Sequence, residues 1–195
     1  LDLVVHSKHQ IELLNTHRFS GEVWVKVTTG MNRLGFPTSS LDEVLLKLKD
    51  RNVVGIMSHF ASADSDKAFT DNQVEKFVSE TKKLSLPLSI ANSAGVLSFP
   101  DSHLDWVRPG IMLYGGSPYD RAIPELKSAM TLLAPVIAVN NIRASQSVGY
   151  GRTWMADKDT RVAVLGVGYA DGYPREISNG VAMLGGLRRN IVGRI

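Results

Sequence analysis

No cysteine occurs among the 195 residues of this chain, which excludes disulfides and thiolate metal sites and makes the cytoplasm the expected location. Histidine is sparse. His6, His9, His17, His59 and His103 show no His-x-x-x-His spacing, so no metal site is expected. No apolar run approaches the roughly 18 residues of a membrane span, and the expectation is no membrane partner. The N-terminus shows no initiator Met, basic start or cleavage site, so no signal peptide is visible. Leu1–His6 reads as the middle of a strand and Ile191–Ile195 stops in strand-like sequence, so both ends are expected to lie inside a longer protein. The net charge is only +3 and the basic residues are scattered apart from Arg188-Arg189, which argues against a nucleic-acid surface. Gly-x-Gly-x-x-Gly, P-loop and Gly-x-Ser-x-Gly motifs are missing. What is present, 44% hydrophobic and 21% charged residues, is the composition of a globular protein with a sizeable core.

The first two thirds alternate strand-like and helix-like segments. Strands are expected at Leu3–Val5, Glu22–Val27, Val53–Ser58, Leu86–Ala91 and Trp106–Val107, with a short apolar run at Ile111–Tyr114. Leu41, Val44, Leu45 and Leu48 share one helical face, with Ser40 and Glu43 as a capping box. Asn72–Leu84 repeats the design, with Thr70 and Gln73 as caps and Val74, Phe77, Val78 and Thr81 along one face. Repeated βα units imply a parallel sheet with covered strands. After Pro118 the character changes. Tyr119–Lys127 reads as a linker, and Met130–Val139, Arg161–Val167, Val181–Leu184 and Asn190–Ile195 read as β-rich. The expected division is therefore an α/β region over residues 1–125 and a β-rich domain over 126–195. A closed (β/α)8 barrel needs about 250 residues, so a barrel here would be partial.

Several segments hold chemistry-bearing residues. Strand Val23–Val27 ends at Thr28-Thr29-Gly30, and a turn containing Arg33 follows. Lys26 at a sheet end is costly unless paired, so an anionic partner is expected, either in a simple salt bridge or in a site. His59, in Ser58-His59-Phe60-Ala61, is either a satisfied core residue or a catalyst. Ser93, in Ala91-Asn92-Ser93-Ala94-Gly95, is either a plain helix cap or a phosphate ligand. Arg108-Pro109-Gly110-Ile111 puts a cation beside a glycine that lets backbone approach a ligand. Tyr150 stands between Gly149 and Gly151, as a turn residue or an accessible phenol. Gly168–Arg175, with Tyr169, Asp171 and Tyr173, reads either as a site rim or as a tight turn stabilised by Asp171.

Taken in order, the segments Lys26–Phe36, Ser58–Ala61, Asn92-Ser93, Trp106–Gly115, Val148–Gly151, Gly168–Arg175 and Ile191–Arg194 resemble bacterial alanine racemases over essentially the whole chain. The resemblance implies a partial pyridoxal 5'-phosphate (PLP)-binding (β/α)8 TIM-type barrel followed by part of a β-rich C-terminal domain. It implies a homodimer with shared active sites that interconverts L- and D-alanine for peptidoglycan synthesis. Carried over by motif, Tyr150 is the catalytic base on one face of the substrate. Arg33 and Tyr169 contact substrate. Arg108, His59, Ser93, Gly110 and Ile111 surround the cofactor, with Arg108 at the pyridine nitrogen. Lys26 matches a lysine that is often carbamylated, which would give it an anionic group beside Arg33.

These residue types suit that chemistry. A free tyrosine titrates near pKa 10, and nearby cations would lower it toward a useful range. An arginine only donates, so a ring nitrogen facing it must stay unprotonated. That weakens the electron sink and disfavours transamination. Three departures from the family pattern stand out: Thr28 replaces the usual Asp, and the usual Pro near Asn190 and the usual Asn near Gly185 are missing. The family's Schiff-base lysine falls upstream of residue 1 and its substrate-contacting Met past Ile195. Lys8 and Lys26 are not substitutes, and this chain alone is expected to be inactive. Alternatives are a broader-specificity racemase of the same fold, a non-catalytic PLP-binding barrel protein, and an inactive fragment.

Overall fold

The computed structural model describes residues 2–17, 19–175 and 180–194. It divides into two compact units, Leu1–Met130 and Thr131–Ile195. The first unit contains strands β1 (Leu3–Val5), β2 (Glu22–Thr28), β3 (Phe36–Pro37), β4 (Asn52–Met57) and β5 (Leu88–Ser89). Its helices are α1 (Lys8–Thr16), α2 (Leu41–Lys47), α3 (Lys67–Thr81) and α4 (Ser93–Ser98). The sheet order is β1-β2-β4-β5, with β3 added to the end of β2, and every pairing is parallel. A bridge from Ser89 to Trp106 extends the sheet by one more segment. Each main strand thus lies beside its successor with a helical crossover between, as in the wall of an α/β barrel.

The alternation along β2 positions the chemistry. Val23, Val25 and Val27 are fully buried, in one core cluster with Ile11 and Leu14 of α1, Leu41 and Val44 of α2, Ile56 of β4 and Phe77 of α3. The intervening Trp24, Lys26 and Thr28 are half-buried on the other face. Burial of each valine is worth about 1.5–3 kcal/mol. A slip of one residue would put Lys26 among the helices, so the register is strongly held. On the Lys26 face, Trp24 pairs across from Gly55, and its ring meets the edge of Trp106 at 6.4 Å between centroids.

Helix ends depart from the sequence reading. Ser40 makes no side-chain capping bond, because a 3-10 turn at Thr38–Ser40 runs directly into α2; Glu43 instead pairs with Lys47 at 2.6 Å. Helix α3 begins five residues earlier than expected and stops at Thr81. Asp66 is its cap, accepting from Phe69 N at 2.9 Å, while Thr70 and Gln73 lie buried inside the helix. Helix α1 has no counterpart in the apolar periodicity, since only Ile11 and Leu14 are buried along it. The expected strand Leu86–Ala91 shrinks to two residues, and Ile111–Tyr114 forms a 3-10 turn closed by Gly115 at φ 81°.

The second unit is built of antiparallel pairs: β6 (Val136–Ile142) with β9 (Thr160–Leu165), β7 (Ser147–Val148) with β8 (Trp154–Met155), and β10 (Val181–Leu184) with β11 (Leu187–Asn190). The turn between β10 and β11 is Gly185-Gly186, both at positive φ, which matches the twist of a two-residue hairpin. β6 starts only at Val136, after Pro135. The segment expected from Asn190 onward is not a strand beyond Asn190 itself, and Ile195 lies outside the described residues. Among the described residues no helix is long and apolar enough to cross a membrane.

Candidate active site

The carboxyl ends of β2, β4 and β5 and the segment after Trp106 converge. Arg108 is the hub. One guanidinium nitrogen, Nη1, donates to Ser89 Oγ. The other, Nη2, donates to Ser58 O at 2.5 Å and lies 3.3 Å from His59 Nδ1. The Arg108 backbone N–H donates to Ala91 O at 2.9 Å, and the Ser89 hydroxyl donates to Trp106 O at 2.7 Å. Every acceptor in this set is uncharged, so the guanidinium is fixed but not neutralised. Burial pushes its pKa down from the ordinary arginine value.

Lys26 shares this environment. Burial, then Arg108, then Arg33 hold its amine below the usual lysine range. Ion pairs among the described residues join Lys47 to Glu43, Lys67 to Asp71 and Lys83 to Asp42, and His9 lies 4.0 Å from Glu12. None of them reaches Lys26, Arg33 or Arg108. The anionic partner expected for Lys26 is therefore not a protein carboxylate among the described residues. His59 is lowered to about 4 by burial first, then by Arg108, Lys26 and Arg33. Its ring is neutral at neutral pH.

Ser93 sits at the first turn of α4, with Asn92 as the actual cap, accepting from Gly95 N at 3.0 Å. The Ser93 hydroxyl oxygen accepts from Gly110 N at 2.9 Å and Met112 N at 3.3 Å. Among the described residues no acceptor takes its own hydrogen. No acceptor among the described residues takes the Ile111 N–H. A Cβ built on Gly110 would meet nothing within 4 Å. Ser93 O–H and Ile111 N–H thus stand without an acceptor among the described residues beside open space at Gly110, two residues along the chain from Arg108. Such a donor set fits an anionic group such as a phosphate.

Arg33 is exposed and lines an open cavity of about 420 Å³ with His6, Ser7, Thr28 and Asn32. Thr28 closes this loop. Its hydroxyl accepts from Asn32 N at 2.9 Å and donates to Asn32 Oδ1 at 3.0 Å, holding Asn32 at φ 55°.

Tyr150 and Tyr169 belong to the second unit and are 72% and 63% exposed, which leaves both phenols accessible. Tyr150 occupies a 3-10 turn between Gly149 at φ 84° and Gly151 at φ 70°. A Cβ on Gly149 would come 3.1 Å from Arg194 N, and one on Gly193 would come 3.0 Å from Val148 O. The Val148–Gly151 and Ile191–Arg194 segments therefore meet. Asp171 Oδ2 accepts from Gly168 N at 3.0 Å, so the Tyr169 turn has the Asp171 support expected of a tight turn.

A profile for the alanine racemase N-terminal domain matches residues 1–118, and one for the alanine racemase C-terminal domain matches residues 129–195. The chain belongs to the alanine racemase family. It is 39% identical over 211 residues to an alanine racemase of Coxiella burnetii, and 42% identical over 207 residues to one of Halorhodospira halophila. In both cases 100% of this chain is covered, against 58% and 57% of the relative. The biosynthetic alanine racemase of Pseudomonas aeruginosa superposes with a TM-score of 0.85 at 38% identity, and that of Streptomyces coelicolor A3(2) with 0.87 at 30%. Each superposition covers 100% of this chain and 57% of the other. The chain thus spans somewhat over half the length of the relatives it matches. Its parallel sheet is part of the family's TIM-type barrel, and the antiparallel unit is part of the β-rich C-terminal domain.

The sequence motifs contain most residues of the cluster, but not its supports. Ser89 and Gln73 lie outside all of those motifs. Gln73 is assignable only from its helical phase, four residues before Phe77 and eight before Thr81.

Proposed function

We propose that this chain is part of a PLP-dependent alanine racemase, a cytoplasmic homodimer that interconverts L- and D-alanine and supplies D-alanine for peptidoglycan. Residues 1–125 would be barrel and 126–195 the second domain. One observation carries the reading. Arg108 and Arg33 both bear electrostatically on Lys26, none of the three has a carboxylate partner among the described residues, and Gly110 of the Ser93–Gly110–Ile111 cradle follows Arg108 by two residues. Burial keeps Lys26 and Arg108 partly out of solvent while Arg33 stays exposed, and like charges near one another are costly there, so the arrangement suits an anionic ligand. The relatives are named alanine racemases, which favours alanine over a broader range of amino acids. The match to a second domain argues against a single-domain PLP-binding protein.

PLP, when bound, supplies the electron sink that acidifies the Cα proton of an amino acid. The side chains and backbone of this chain bind, orient and move the proton. Ser93, the Gly110 and Ile111 backbone and their neighbours hold the phosphate. Arg108 would donate to the ring nitrogen, which could then only accept. Arg33 takes the substrate carboxylate, and Tyr169 borders its entry. Tyr150 removes or returns a proton through its phenol oxygen on one face. Lys26, with its lowered pKa, has a neutral amine available to add CO2 at Nζ with release of a proton, and the resulting carbamate would hold Arg33.

The test uses the parent protein extended to its relatives' full length. It should show the visible absorption of bound PLP and should bring the optical activity of L-alanine toward that of the racemate. A parent protein that neither binds PLP nor racemises alanine overturns the reading.

A further inference from the structure

Helix α3 buries a polar side chain at the centre of its packed face. Gln73 is 1% exposed, and its amide is used at both ends. Nε2 donates to Thr29 Oγ1 at 3.0 Å and to His59 O at 3.1 Å, while Oε1 accepts from Ala61 N at 3.0 Å. Thr29 Oγ1 also meets Ser58 Oγ at 2.9 Å. A buried amide is costly unless its bonds are made, and an apolar residue would be the simpler occupant of a helix face that also packs Phe77.

The groups it ties together matter more than their number. Thr29 begins the loop that leads from β2 to Arg33. Ser58, His59 and Ala61 form the loop after β4. Ser58 O and His59 Nδ1 are the groups that meet Arg108 Nη2. The two loops meet over α3: a Cβ on Gly30 would come 2.7 Å from the Phe69 ring and 3.5 Å from Gln73 Cδ. One side chain on a helix therefore clamps both loops from behind the sheet.

We propose that Gln73 is a positioning residue of the cofactor site, which fixes the His59 peptide and the Thr29–Arg33 loop relative to each other and so sets the place of the Arg108 guanidinium. This rests on the assignment of Arg108 and His59 to a PLP site. Gln73 touches neither cofactor nor substrate; it acts through Thr29, Ser58 and His59.

The parent protein would be compared with Gln73→Met, Thr29→Val and the double variant. Three quantities are read: the melting temperature without cofactor, the Kd for added PLP by absorbance titration, and the NMR titration midpoint of His59 in the cofactor-free protein. Gln73→Met nearly keeps the volume, so the fold is expected to survive. The Kd should rise at least about tenfold, which corresponds to the loss of one well-placed contact. The His59 midpoint should move up by about one pH unit as the ring leaves its buried place among Arg108, Lys26 and Arg33, the charged groups that face it. Thr29→Val, which keeps the side-chain shape, should move both readouts the same way. The double variant should cost clearly less than the sum of the two single changes, because both remove the Gln73–Thr29 bond. If Gln73→Met fails to fold, Thr29→Val alone carries the same readouts.

Melting temperatures that fall while the Kd and the His59 midpoint stay at wild-type values would overturn the proposal and leave Gln73 as core packing. A wild-type protein that binds no PLP would overturn the site assignment itself. The wild-type titration separates that outcome from the first.

Discussion

Arg108 Nη2 faces His59 Nδ1 at 3.3 Å, and a guanidinium has only hydrogens to offer. The imidazole therefore accepts at Nδ1 and carries its proton on Nε2. The tautomer follows from the arginine, and it leaves the far side of the ring as a donor.

His59 should titrate at about 4, against 6.5 for a free imidazole. Because its folded pKa is depressed, the folded chain binds fewer protons than the unfolded one between those values. Its contribution to stability is complete above pH 6.5 and is lost as the pH falls toward 4. Urea unfolding across that window should show the loss, and His59→Asn should flatten it. A ring-carbon NMR midpoint near 6.5 would contradict the burial of the ring among cations.

Gly55→Ala should disturb the layer beneath Lys26 and Arg108. A Cβ at Gly55 would come 2.4 Å from the Trp24 ring, which is itself edge-on to Trp106. Overpacking of this kind typically costs about 1–3 kcal/mol. Chemical denaturation should report that loss, and Trp fluorescence should change with it. Unchanged stability would mean that the Trp24 ring moves aside freely.

Lys26 should take up CO2 in the native protein. Burial and neighbouring cations lower its pKa, so the neutral amine that reacts with CO2 is more abundant than at an exposed lysine. Native mass spectrometry in bicarbonate should show a gain of one CO2 that disappears on acidification and is absent from Lys26→Ala. A free amine under those conditions would remove the proposed anchor for Arg33.

Tyr150→Phe in the parent protein should retain PLP binding and lose proton exchange at Cα on one face of the substrate. Loss of a positioned general base costs about 10²–10⁴-fold. Deuterium incorporation from solvent should fall far more for one enantiomer than for the other. Equal, mild losses for both would reduce Tyr150 to a turn residue.

Local pattern and long-range geometry are legible in the sequence to different degrees. The β-branched run Val23–Val27 sets which face of β2 is buried, so the place of Lys26 at a sheet end is readable. The motifs around His59, Ser93 and Arg108 are readable as segments. Their convergence is not, because Arg108 meets Ser58 across 50 positions and Ser89 across 19. Capping is ambiguous where competing polar residues stand close together. Asp66, not Thr70, starts α3, since an Asp in extended backbone can accept from Phe69 N while Thr70 is already inside the first turn. Gln73 resembles a helix-end residue for the same reason. Only the folded neighbours Thr29, His59 and Ala61 show why a glutamine belongs on an apolar face.

The lack of an acid beside Lys26, Arg33 and Arg108 among the described residues also bears on the cofactor-free protein. A chain that gathers cations without a built-in counter-ion depends on its solvent for one, so loading and folding become linked equilibria. Phosphate and a weakly binding anion are then different media for this protein even at equal ionic strength. Unfolding of the chain in phosphate and in chloride at equal ionic strength is then expected at different denaturant concentrations.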